Sequence, residues 1–181
     1  MRIAFPTLAL VLSTATAACA QQQQQQQRQQ QRPVEIAPNA PRDRPVAAVY
    51  RCQMAAAIEA MKPYVERARA TWPDAWRRFL AGLPAHHTMF VTTRLHDTSG
   101  RMEQVFVAVD SIVGARIVGR IGSAVAIVPG YRRGQRYELD ERDLVDWMVA
   151  RPDGSEEGNV VGNFLDTYTP PASCGDAKSA T

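Results

Sequence analysis

The spacing of apolar positions changes once along the chain. Val46, Val49, Met54, Ala57, Ile58 and Met61 recur near helical spacing in an alanine-rich stretch. That predicts a helix over Val46–Met61. Pro63 is expected to end or kink it, with residues 64–71 continuing as helix and placing Tyr64, Val65 and Ala68 on one side. A further short helix is expected from near Trp72, with Pro73 at its first position, Asp74 in its first turn and Gly82 as its stop. Trp76, Phe79 and Leu80 would form its apolar stripe, a pattern of core packing.

After Pro84 the period becomes two. Met89, Val91, Thr93 and Leu95 share one face of a strand over Thr88–Leu95, and Asp97-Thr98-Ser99-Gly100 is a turn that pairs it with a strand over Met102–Val109. Further short strands are expected at Ala115–Ile121, Ala124–Val128 and Gln135–Leu139. Asp140–Leu144 reads as one helical turn, Val145–Ala150 as alternating strand and Arg151-Pro152-Asp153-Gly154 as a turn. Gly158–Tyr168 fits either a strand or a short helix. Short strands joined by turns, with no helical pattern between them, predict an α+β fold. Its N-terminal helices would pack on a curved antiparallel sheet or small open barrel.

The first twenty residues do not belong to that pattern. Arg2, the apolar run Ile3–Leu12 and the small residues Ser13–Ala20 follow the order of a secretory signal, with Ala18 and Ala20 at a small-x-small cleavage site. The apolar run is too short to span a bilayer core. A rival processing site exists at Thr16-Ala17-Ala18-Cys19, which partly resembles the lipoprotein box and would make Cys19 a lipid anchor. The expected location is periplasmic or secreted, with a membrane-anchored lipoprotein as the alternative. Residues 21–31 are ten glutamines and one arginine, and Pro33, Pro38, Pro41 and Pro45 punctuate the stretch that follows. Too few apolar residues offset the ordering entropy there, so 21–45 reads as a disordered linker. The folded domain is expected over 46–168, with a tail at 169–181.

Processing at either site takes Cys19 out of the domain and leaves two cysteines, Cys52 and Cys174. An exported chain with an even count favours a disulfide between them. Such a long loop is worth about 4–5 kcal/mol in the chain-entropy treatment. Charge narrows the partner. From Pro45 onward sixteen Lys and Arg face sixteen Asp and Glu, so the basic surplus lies in the leader and linker. A nucleic-acid binder carries its basic patch on the fold, and none is expected here.

Candidate chemistry is sparse. The three histidines, His86, His87 and His96, fall short of a metal set, because neighbours on a strand point to opposite faces. Asp140, Glu141, Asp143 and Asp146 cluster, but no glycine lies within 135–153 to make a calcium loop. They are expected to cap the turn, or to pair with Arg132, Arg133, Arg136 or Arg142 on a solvated face. Glu103 and Asp110 flank one strand at about 23 Å, too far apart for a carboxylate dyad. No nucleophile elbow and no phosphate loop is present. No catalytic residue, metal or cofactor is therefore expected.

Three segments carry a family resemblance: Glu103-Gln104-Val105-Phe106-Val107, Gly119-Arg120-Ile121 and Asp143-Leu144-Val145-Asp146-Trp147-Met148. Across 103–150 the chain resembles the bacterial family called domain of unknown function 2314, with Phe106 where that family has tryptophan. Gly158–Leu165 follows its glycine-rich ending only loosely. The family has no settled activity, so the resemblance implies a fold and, by position, a binding site at Glu103, Asp143, Asp146 and Trp147. The expected function is a non-enzymatic module binding a protein or small ligand in the cell envelope. The alternatives are an envelope hydrolase using Glu103 or Asp146, a structural lipoprotein, and, by analogy with similar small domains, a toxin-immunity protein.

Overall fold

A single helix, α1, runs from Arg51 to Ala81 without a break. The computed structural model describes residues 51–172. The leader, the linker, residues 46–50 and Cys174 lie outside the described residues. Where a break or kink at Pro63 and a separate short helix from near Trp72 were expected, α1 carries both Pro63 and Pro73 inside it. Each proline removes one backbone donor. Both prolines are exposed, which places the defects on the side that faces water. The other side carries the buried residues Ala57, Met61, Ala68, Trp72 and Ala75, with Tyr64 and Val65 half-buried between Met61 and Ala68. Burial of that stripe holds the helix through its proline defects. Gly82, at φ +95°, stops it as expected, donating its N–H to the Phe79 carbonyl. Leu80 departs from the expected stripe and is 58% exposed.

The remainder is a curved, open, six-stranded antiparallel sheet. Its strands are β1 (Thr88–His96), β2 (Met102–Val113), β3 (Arg116–Ile121), β4 (Arg136–Asp140), β5 (Asp146–Ala150) and β6 (Glu156–Gly158), in the order β4-β3-β2-β1-β5-β6. A short helix, α2 (Val160–Leu165), resolves the ambiguity of the last segment. The β1–β2 hairpin forms at the expected turn, where the Asp97 carboxylate accepts the N–H groups of Ser99 and Arg101. β2 runs further than its alternation suggested, through an irregularity between Val109 and Ser111.

The sheet buries two faces. Met89, Val91, Leu95, Val105, Val107, Ile117, Trp147 and Val149 join Ala68, Trp72 and Ala75 of α1 in the main core. Phe90, Ala108, Met148 and Ala150 form a second cluster on alternate positions. β5 is consequently buried at every residue. Its apolar alternation is that of a central strand with both faces covered, not of a half-solvated one.

The chain reaches β5 from β4 by crossing strand ends through a 3-10 turn, Glu141–Asp143. Glu141 donates its N–H to the Ala115 carbonyl, Thr93 Oγ1 donates to the Asp143 carbonyl and Val145 donates to the Thr92 carbonyl. Arg69 of α1 closes the crossing from above, donating to the Leu144 and Arg142 carbonyls at 2.8 and 2.9 Å. Leu144, 1% exposed, is the apolar plug beneath it.

Candidate functional site

The four family-like positions do not meet in one place. In the sheet register Glu103 lies opposite Leu95, and Asp146 lies opposite Thr92. An odd separation along β1 turns these two side chains to opposite faces. Trp147 takes the α1 face, opposite Val91. Asp143 is exposed at the end of the 3-10 turn, and its carbonyl, not its carboxylate, is the group held by Thr93.

Glu103 is a loop clamp. Its Oε1 accepts the N–H of Ala126 at 2.8 Å, and its Oε2 accepts those of Ile127 at 2.7 Å and Val128 at 3.0 Å. Partial burial pushes the carboxyl up, but the N–H groups of Ala126, Val128 and Ile127 outweigh it and hold the group below its ordinary value. The strand expected at Ala124–Val128 is absent for the same reason. Three successive N–H groups there bond one carboxylate instead of a neighbouring strand. The segment is held at its start by Gly122, which donates to the Phe106 carbonyl, and by Ser123, whose Oγ accepts the Phe106 N–H. Val128, at its end, packs in the main core.

Asp146 is a second clamp, and it is 1% exposed. Oδ1 accepts its neighbour Trp147 N–H at 2.8 Å, and Oδ2 accepts Val161 N–H at 2.6 Å and Gly162 N–H at 3.4 Å. The carboxylate therefore satisfies amides at the start of α2 that have no partner within the helix. Burial raises its pKa, against the opposing pull of the N–H groups of Val161, Trp147, Gly162 and Val160. The solvated acidic face expected over 140–146 is thus only partly formed. Asp140 caps the 3-10 turn and pairs with Arg142, and the Arg142 contacts hold its carboxyl down at about 2. Asp146 leaves that surface for the interior.

Trp147 does line an opening. Its Nε1–H donates to the Ala68 carbonyl at 3.1 Å and to Thr71 Oγ1 at 3.0 Å. The indole, thus fixed against α1, forms the floor of an open groove of about 750 Å³ bounded by Thr71, Asp74, Arg77, Arg78, Ala81 and Glu157. The Arg78 guanidinium lies 5.8 Å from the centre of the Trp147 ring, and its Nη1 bonds Glu157 at 2.7 Å. Glu157 is shared with Arg151 at 3.2 Å, and Arg77 pairs with Asp74. The walls are charged and solvent-facing, and the floor is aromatic. Trp147 is only 5% exposed and carries Arg78 over its ring, so such a surface meets a ligand mainly through its charged side chains, by ion-pair exchange. β6 approaches closely here because Gly158, at φ +86°, has no side chain: a Cβ would sit 2.4 Å from the Trp147 carbonyl oxygen and 2.9 Å from its ring.

The groove residues other than Trp147 escaped the sequence reading. Thr71, Asp74 and Arg78 lie three and four apart, which puts them on one helix face, but nothing local marks Glu157 or Arg151 as their partners. The histidines form no constellation: no group of His, Cys, Asp and Glu suited to a metal ion occurs among the described residues. No described helix is long and apolar enough to cross a membrane. No family model, no curated protein and no solved structure matches the chain.

Proposed function

We propose that the protein is an exported, non-enzymatic binding module of the cell envelope, whose protein or small-molecule partner seats in the groove floored by Trp147. The observation that carries this reading is the use made of the two candidate acids. Both oxygens of Glu103 and both oxygens of Asp146 accept backbone N–H groups, and register turns them to opposite faces. A general acid or base must reach a substrate proton, and these groups are spent on holding a loop and a helix. The open groove supplies what a binding surface needs: a fixed aromatic floor and arginines whose present partners are exchangeable. Export rests on the order of charge, apolar run and small residues over Met1–Ala20. The resemblance to domain of unknown function 2314 rests on the residues quoted for it, and it adds Trp147 as a position worth testing.

Two measurements test the reading. Mass spectrometry of the protein from the envelope fraction should give an N-terminus at Gln21; a diacylated Cys19 would replace the soluble form by the lipoprotein, and an intact Met1 would end the export claim. A photo-crosslinking residue at Ala81, on the groove rim, should capture one discrete partner in the intact envelope, and the same residue at exposed Val113 should not. Equal capture from both positions, or none from Ala81, contradicts the assignment of the groove.

A further inference from the structure

We propose that the groove floored by Trp147 takes an extended, acidic segment of a protein partner, and that Glu157 occupies the place of that segment's carboxylate until it arrives. The inference rests on the groove being the binding surface, and it adds the kind of partner that fits. Two arginines from separate elements converge on Glu157. Arg78 of α1 donates from Nη1 to Oε1 at 2.7 Å, and Arg151, just after β5, donates from Nη2 to Oε2 at 3.2 Å. Two guanidinium groups on the two oxygens of one carboxylate form a carboxylate-recognition arrangement. Here the chain's own side chain fills it.

That filling is exchangeable. All three side chains are part-exposed, and an ion pair open to water contributes little. β6, which carries Glu157, is three residues long and lies at the edge of the sheet, paired only with β5. Charge favours an incoming anion. Around the groove Arg77, Arg78 and Arg151 meet Asp74 and Glu157, so one further carboxylate brings the set to neutrality. The partner's carboxylate takes the two arginines, Glu157 turns out to water, and Arg78 keeps its place over the Trp147 ring, 5.8 Å from its centre.

The edge of β6 favours an extended chain over a small acid. The Arg151 N–H donates to the Ser155 carbonyl, and the Asn159 N–H donates to the Trp147 carbonyl. Peptide groups of an extended strand alternate in direction, so the Glu156 N–H and the Gly158 carbonyl point away from β5. No strand of the sheet takes up that edge. A strand added there pairs with both groups. Every second side chain of it turns to the α1 side of the sheet. That is the side of Glu157, which stands opposite Val149 of the main core. An added strand lies about 4.8 Å further out, within reach of the long Arg78 side chain.

Binding is read by the fluorescence anisotropy of a labelled hexaglutamate peptide on the full-length chain, with hexaglutamine as the neutral control. Hexaglutamate should bind, hexaglutamine should not, and high salt should release the complex. Glu157→Gln, which frees both arginines, should tighten binding about fivefold, and Arg78→Ala and Arg151→Ala should each weaken it about fivefold. Unchanged or weaker binding in Glu157→Gln makes Glu157 a pin for β6 and overturns the proposal, as does equal binding of hexaglutamine. Methylating the backbone nitrogens of hexaglutamate keeps its charge and removes its strand donors, and should weaken binding; an unchanged affinity overturns the strand addition. Crosslinking from Ala81 keeps the proposal apart from the groove reading. Capture that grows in Glu157→Gln and is displaced by excess hexaglutamate supports both. A partner captured alike by wild type and Glu157→Gln, and not displaced, overturns the acidic partner and leaves the groove reading standing. No capture from Ala81 overturns the groove reading and the proposal with it.

Discussion

Replacing Asp146 tests whether a buried carboxylate serves the fold or a reaction. In the folded protein it accepts three backbone N–H groups, from Trp147, Val161 and Gly162, the first two at 2.8 and 2.6 Å. Asparagine has one acceptor oxygen and turns an amide N–H2 toward whichever backbone donor the oxygen abandons. A hydrogen bond to a charged group contributes about 1.5–3 kcal/mol, and a buried donor left unsatisfied costs about 1–3 kcal/mol. Burial outweighs those N–H groups for the charged carboxylate, so relief of the buried charge offsets most of this and Asp146→Asn should lose about 1 kcal/mol at pH 7. Alanine keeps no acceptor and leaves a void, and should lose about 3–4 kcal/mol. Urea unfolding at pH 7 reads both. The pH dependence adds a signature. Burial raises the Asp146 pKa in the folded protein above the ordinary 3.8, so its contribution to stability is fully present below the unfolded value and is lost as pH rises through the folded one. Wild type should therefore gain on the asparagine variant as pH falls from neutrality toward 4. An asparagine variant within about 0.5 kcal/mol of wild type, at any pH in that window, would refute the clamp.

Glu103 should show the opposite sign. Its folded pKa is lowered, so its contribution is present above the ordinary value of 4.5 and lost as pH falls through the folded one; Glu103→Gln should lose about 1–2 kcal/mol at pH 7 and speed hydrogen exchange at Ala126–Val128, with little difference from wild type in strong acid. Gly158→Ala meets both a positive φ and the Trp147 carbonyl, and should cost about 2–3 kcal/mol by the same unfolding assay. Trp147→Phe removes the donor to Ala68 and Thr71 and should cost about 1–2 kcal/mol, while quenched fluorescence of the remaining tryptophans reports any opening of the groove floor.

Much of the fold was legible because its signals are local. Alternation in β1 and β2, the Asp97–Gly100 turn and the Gly82 stop are each readable within a few residues. The unbroken α1 was not, because the prolines speak locally, whereas the buried stripe that overrides them runs along the helix. The Ala124–Val128 strand failed for a similar reason. Its apolar residues suit a strand, but the acceptor for its N–H groups is Glu103, on another element. The site was the least legible part. Asp143-Leu144-Val145-Asp146-Trp147-Met148 drew notice as a segment, yet it splits three ways in space. Asp143 faces solvent, Asp146 lies in the interior and Trp147 floors the groove. Arg78, Arg151 and Glu157 carry the groove walls through contacts between separate elements, which no local period encodes.

The central claim is that the groove binds and the two acids only hold the frame. It is tested most directly by comparing partner capture through a crosslinker at Ala81 in two variants, Arg78→Ala and Asp146→Asn, at temperatures where circular dichroism shows equal folded fractions. The account predicts that Arg78→Ala, which strips the guanidinium from the Trp147 face and from Glu157, loses capture while Asp146→Asn keeps it. Retained capture in Arg78→Ala with loss in equally folded Asp146→Asn would contradict it.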